Sequence, residues 1–148
     1  MNNITFFNKI GLLVVDQNNR ILLVRKDNYT SKLLMPGGQI EEGENDLSCL
    51  NREISEELGE VSISNPILID TYEDKAASDD PNRKGIVSIK LFSGNINGEP
   101  KPLSEIIELI WFSPQSNQEE LSPIIKNKIL PDLIEKEILS KEEWGSTI

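Results

Sequence analysis

The chain of 148 residues contains no histidine and a single cysteine. Without histidine there is no Ser-His-Asp or Cys-His nucleophilic system and no His-ligated zinc. A general base must then be a carboxylate, Lys, Tyr or metal-bound hydroxide, and any metal must be held mostly through oxygen. Oxygen ligands favour Mg²⁺ or Mn²⁺. One cysteine, Cys49, excludes an intrachain disulfide and agrees with a reducing compartment. No apolar run approaches the roughly 20 residues needed to span a bilayer. The opening MNNITFFNKI lacks a basic region followed by a long apolar run, so no secretory signal and a cytoplasmic location are expected. Positive charge is also scarce. With 15 Lys and Arg against 25 Asp and Glu the net charge is −10, which makes long duplex nucleic acid an unexpected partner. A polyanionic substrate would be repelled as well unless metal ions offset the carboxylates, so the acidity points to metal use.

What remains suits one soluble domain over residues 1–148, with 37% hydrophobic and 27% charged residues. Residues 4–15 and 20–26 read as strands joined by Asp16-Gln17-Asn18-Asn19, good hairpin-turn chemistry. Leu33-Leu34-Met35 leads into Pro36-Gly37-Gly38, which is expected to break regular structure. A helix is expected over 45–58, with Asn45 as N-cap and Gly59 in the left-handed position beyond its end. Residues 61–72 read as a strand interrupted at Pro66, 73–83 as a polar loop, 85–93 as a strand, 95–98 as a turn and 108–113 as a further strand. Residues 121–139 are helical in pattern, with Pro131 starting a second segment or kinking the first. The polar tail over 140–148 is expected to fray. Strands with interspersed helices fit an α/β class, a mixed sheet with helices packed on it.

The helix over 45–58 carries the chemistry. Leu47, Leu50, Ile54 and Leu58 form an apolar stripe that docks it on the sheet. Glu53, Glu56 and Glu57 share another face through i+3 and i+4 spacing, with Glu57 beside the stripe and so near the buried edge. Three carboxylates there repel by a few tenths of a kcal/mol per pair, a penalty that divalent cations reverse. Arg52 can pair with Glu56 or with Glu44. Taken alone, REISEE describes only a solvated acidic face. The glycine turn, Glu44 and Gly59 at their fixed offsets change that reading.

Gly38, five residues, Glu44, seven residues, Arg52-Glu53, Ile54, Ser55, Glu56-Glu57, Leu58, Gly59 resembles the Nudix box. The one departure is Glu60, where the family has an aliphatic residue, with Val61 next. LLMPGG over 33–38 and Trp111-Phe112-Ser113-Pro114 also resemble family segments, so the resemblance covers most of the chain. It implies the Nudix α/β/α sandwich around a mixed sheet, and hydrolysis of the diphosphate linkage in nucleoside diphosphates joined to another group. Such cleavage needs charge neutralisation and an oriented water, and little else.

Carried over position by position, the resemblance makes Glu53, Glu56, Glu57 and the Gly38 carbonyl the expected ligands of Mg²⁺, with Mn²⁺ as a substitute. Arg52 would orient the carboxylates, and Glu44 would support the loop through Arg52. Glu57 and Glu105 are both candidates for the general base, although Glu105 reads equally well as a solvated loop acid. Arg25, Lys26, Arg83 and Lys84 are candidates for phosphate contact, against plain surface roles. Phe6, Phe7, Tyr72, Phe92 and Trp111 are candidates for base stacking, with core packing the simpler reading. Cys49 is most simply a small helix residue. Subfamily markers for coenzyme A, NADH, dinucleoside polyphosphates and ADP-ribose are missing. A MutT-type nucleoside triphosphate pyrophosphatase, acting on nucleotides such as 8-oxo-dGTP, is left by elimination. An ADP-ribose or nucleotide-sugar pyrophosphatase is the alternative. A non-hydrolytic nucleotide-binding module is the alternative of another class. The expected partner is a small nucleotide substrate. A homodimer is compatible with the resemblance.

Overall fold

A computed structural model describes residues 4–145. The strands are β1 (Thr5–Leu13), β2 (Ile21–Lys26), β3 (Gly37–Gln39), β4 (Ser62–Lys75), β5 (Gly85–Asn97) and β6 (Ile106–Phe112). Helix α1 (Asp46–Leu58) lies between β3 and β4. After β6 come a 3-10 turn, a π turn at Ile125–Ile129, α2 (Leu130–Glu135) and α3 (Lys141–Trp144). One sheet has the order β3-β1-β5-β4, with β1 and β5 parallel and the other neighbours antiparallel. β2 and β6 form a separate antiparallel pair.

Side-chain alternation builds two cores. In β2, Ile21 and Leu23 face one, while Leu22 and Val24 face the other. Both faces of this strand are covered, which is why it reads as a continuous apolar run. Helix α1 closes one core with Cys49, Leu50, Ile54 and Leu58. The C-terminal segment closes the other with Ile125, Leu130, Leu133 and Trp144. Each such side chain contributes about 1.5–3 kcal/mol on burial. The result is a mixed sheet flanked by helices, as expected.

Several local expectations change in three dimensions. The turn at 16–19 forms, with Asp16 N–H donating to Arg20 O and Val15 bridged to Ile21. Its two strands then part into different sheets, because β1 is taken by β3 and β5. The Gly37-Gly38 break is itself strand β3, paired with β1 over Lys9–Gly11. Gly37 has φ 142°, and a Cβ there would overlap the Ile10 carbonyl. β4 continues through Pro66 by a bulge between Ser64 and Ile67, with Asn65 at φ 52°. An edge strand tolerates a residue without a donor. It runs on to Lys75, so the expected 73–83 loop is a shorter hairpin connection. β5 likewise runs through the expected turn at 95–98 as far as Asn97.

On α1, Asn45 caps Ser48 N–H and Gly59 follows at φ 86°, as the composition implied. The apolar stripe is shifted. Leu47 stays 45% exposed, whereas Cys49 is fully buried. The helix is therefore rolled toward its carboxylate flank, and Glu57 is buried with it.

Pro131 starts α2 after the π turn, in which Leu130 N–H reaches back to Ile125 O. Proline offers no donor and crowds the carbonyl four residues earlier, which widens the preceding turn. Residues 140–145 do not fray. Ser140 caps α3, and Trp144 is fully buried, stacks on Phe112 and donates from Nε1 to Asn19 O at 3.1 Å. The tail expectation for 146–148 lies outside the described residues. Among the described residues no helix is long and apolar enough to cross a membrane.

Candidate active site

The turn at Gly37-Gly38 faces the carboxylate flank of α1. Glu57 Oε1 accepts from Gly37 N–H at 3.0 Å. Its other oxygen lies 2.6 Å from Lys26 Nζ, and both side chains are almost fully buried. Lys26 also donates to the Gly37 carbonyl at 3.2 Å. A Cβ on Gly38 would overlap the Glu53 carboxylate. Glycine is needed here so that backbone and carboxylate can meet.

Arg52 organises the other acids. It clamps Glu44 through two bonds of 2.7 and 2.9 Å, reaches Glu53 at 2.9 Å and Glu56 at 3.3 Å, and donates to Gln39 O. Such a bidentate fork restricts geometry as well as supplying charge. It holds the Glu44 carboxyl at about 2. Glu53 and Glu57 go the other way. Burial pushes both upward, opposed by Arg52 at Glu53 and by Lys26 at Glu57. Burial likewise pushes the Cys49 thiol up to about 11, so this residue packs as a neutral small side chain and is no nucleophile.

A cleft of about 250 Å³ opens in front of the turn, lined by Gly38, Glu53, Glu105, Lys26, Asn28 and Tyr29 among others. Gly38, Glu53 and Glu105 thus share one opening, with Glu57 reached through Lys26. Glu105 is 3.7 Å from Lys26 Nζ and otherwise faces solvent. Glu56 sits on the exposed side of Arg52. Behind the cleft a narrow cavity of about 30 Å³ contains the buried Ser122 hydroxyl, which has no protein partner. That space suits about one water.

Arg25 is not brought to the cleft. It pairs with Glu108 at 2.9 Å and Glu120 at 3.3 Å and donates to the Ser31 carbonyl. Adjacent residues on a strand point to opposite faces, so Lys26 enters the site and Arg25 leaves it. Arg83 lies 4.2 Å from the centre of the Tyr29 ring, at the rim. Tyr72 and Phe92 are core residues, and Tyr72 donates to Asp132 at 2.6 Å. Trp111 packs partly buried against the core that α1 closes, and Phe6 points to solvent. Phe7 alone of the five candidates reaches the cleft, stacked on Tyr29 at 6.3 Å. Tyr29 and Asn28 were not singled out from the sequence. They lie in a polar loop, where no periodicity marks a facing direction.

Among the described residues no three acids, cysteines or histidines are gathered as a ready metal-holding set. Glu53 and Glu56 are turned to Arg52, and Glu57 to Lys26. The donor chemistry nonetheless suits a hard cation. It is all oxygen, it carries excess negative charge on one helix flank, and it lies against a backbone turn with no side chain.

The NUDIX domain model matches residues 6–133. The chain belongs to the Nudix family. Nudix hydrolases act on pyrophosphate bonds, and the protein is an enzyme of that class. Solved structures agree in fold. A MutT Nudix hydrolase from Burkholderia pseudomallei is 21% identical with a TM-score of 0.63, covering 80% of this chain and 92% of its own. A Nudix hydrolase from Nitrosomonas europaea is 22% identical with a TM-score of 0.65, covering 89% and 88%. A mutator MutT protein from Bacillus halodurans is 25% identical with a TM-score of 0.59, covering 78% and 73%. No curated protein gives a significant match. The departure from the Nudix box at Glu60 has a simple packing account. Glu60 is exposed, and Val61 packs against the core beneath α1 in its place.

Proposed function

We propose that this Nudix protein hydrolyses the diphosphate linkage of nucleoside diphosphate derivatives with Mg²⁺ as cofactor and Mn²⁺ able to replace it. Nucleoside triphosphates, oxidised purine forms such as 8-oxo-dGTP included, are the leading substrates. The observation that carries this reading is the contact of the Gly37-Gly38 turn with Glu53 and Glu57 beside an open cleft. The MutT description of several structural neighbours supports the substrate class. A cytoplasmic location goes with the same reading.

Glu53, Glu56, Glu57 and the Gly38 carbonyl would hold the metal. When bound, it would neutralise charge on the phosphate oxygens and lower the pKa of a water. Arg52 keeps Glu53 and Glu56 on one side of the helix, and its clamp on Glu44 fixes the loop before it. Lys26 holds Glu57 in place from below. We assign Glu105 as the group that accepts the proton of the attacking water. It lines the cleft and is half exposed, whereas Glu57 is almost fully buried and is taken here as a metal ligand. The Tyr29 and Phe7 rings form one wall, suited to a nucleobase or sugar.

ADP-ribose and nucleotide sugars are the second substrate class. A partial neighbour from Francisella tularensis is described as a bifunctional NMN adenylyltransferase/ADP ribose pyrophosphatase. A non-hydrolytic module is disfavoured by the intact Glu53, Glu56 and Glu57. The test is turnover of nucleoside triphosphates, oxidised purine triphosphates, ADP-ribose and nucleotide sugars with Mg²⁺, then Mn²⁺. Metal-dependent release of nucleotide products, lost in Glu57→Gln, is expected. Turnover that survives that substitution would move the reacting centre elsewhere.

A further inference from the structure

A second cavity of about 610 Å³ lies at the β4–β5 hairpin, outside the box. Its wall carries Lys32, Lys75, Arg83 and Lys84 against a single acid, Asp80. This is unexpected in a chain of net charge −10. Carboxylates outnumber cations, and most cations from Arg20 to Lys141 hold one. Among the described residues, Lys75, Arg83 and Lys84 hold none. The Asp80 carboxylate is turned to Asn82 N–H at 2.9 Å, and Lys32 donates to the Glu119 carbonyl. Four like charges around one hollow repel each other, and an anion in it reverses that cost.

The cavity adjoins the active site. Ala76 and Ala77 line both this hollow and the narrow cavity behind Gly38. Arg83 is laid over the Tyr29 ring, and Tyr29 is a wall of the cleft. Arginine so stacked keeps its outer N–H groups for an anion.

We propose that this cavity is an anion subsite for a phosphate carried by the substrate beyond the diphosphate that is cleaved. The preferred substrates are then nucleoside diphosphates whose attached group is itself phosphorylated. This deepens the hydrolase reading, and its test separates the two. The four cations do not line the cleft at Gly38 and Glu53, so they are expected to act on binding and to leave the chemical step alone.

The probe is a pair of diphosphate-bridged dinucleotides that differ only by one ribose phosphate. Binding is titrated with Mg²⁺ on Glu57→Gln protein, and steady-state rates are measured on the otherwise unaltered chain. Both are repeated with Lys75→Glu/Lys84→Glu added, at the exposed end of β4 and in the exposed connection to β5. The phosphorylated member is expected to bind roughly tenfold tighter, as a lower KM at equal kcat. The preference should shrink with added salt. It should fall within about twofold in the charge-reversed protein, with the other member unchanged. Equal response to both ligands, a lack of response to either included, overturns the subsite. So does a preference that survives charge reversal. A binding preference without turnover of the pair or of nucleoside triphosphates leaves the subsite standing and removes the hydrolase reading. Turnover without preference does the reverse.

Discussion

Lys26 Nζ lies 2.6 Å from Glu57 Oε2, with side chains 6% and 4% exposed, on elements far apart in the chain. A buried ion pair of this kind is a weak source of net stability but an expensive one to halve. Lys26→Met should cost about 3 kcal/mol, since it leaves Glu57 charged and buried without its partner. Lys26→Met/Glu57→Gln should recover most of that loss. Denaturant unfolding of both variants checks this, and equal losses in the two would mean that the pair is not coupled.

Gly38→Ala should act on activity far more than on stability. The new methyl overlaps the end of a flexible glutamate side chain, which can swing aside at small cost. In doing so Glu53 leaves its place, and misplacing a positioned group by about 1 Å costs on the order of a hundredfold in rate. Parallel measurements of kcat and Tm decide it. A variant with unchanged kcat would remove Glu53 from the working site.

Glu44 and Arg52 make a pH-dependent contribution. Glu44 is held at about 2 against an ordinary value of 4.5. A carboxyl lowered on folding stabilises the folded state above its unfolded value, and that contribution is lost as pH falls toward the folded one. Wild type should therefore melt above Glu44→Gln at neutral pH, with the gap closing between about pH 5 and 2. A gap independent of pH over this range would show that packing, not charge, carries the role of Glu44.

Trp144→Ala removes a fully buried ring stacked on Phe112 and a donor to Asn19 O. Losses of this type run at about 3–5 kcal/mol. Trp144→Phe keeps the stacking and should lose about 1–2 kcal/mol through the unpaired Asn19 carbonyl. Urea midpoints for both would show whether α3 is part of the cooperative unit. An unchanged midpoint would make the segment a loose appendage.

Helix α1 was legible from residue order because its signals are local. Asn45, Gly59 and the spacing of the three glutamates all act within one or two turns, and the two helix ends stand where expected. The strands were legible for the same reason, from alternation and β-branched content. Their ends were not. β4 passes Pro66 and β5 passes Asn95 because neighbouring strands supply hydrogen bonds that outweigh local turn preference. β3 was invisible as a strand, since three residues with two glycines become one only against β1.

Residue order by itself determined the metal-suited chemistry. The lack of histidine, the excess of acid and the seven fixed box positions need no tertiary structure to be read. Only the tertiary structure decided which cations meet those acids. It buried Lys26 against Glu57 and sent Arg25 to the opposite face. It also laid Arg83 on Tyr29 and folded Trp144 into the core from a polar tail. Each of these depends on contacts between residues distant in the chain. Which face of a strand is covered, and by what, is set by packing and leaves no trace in local composition.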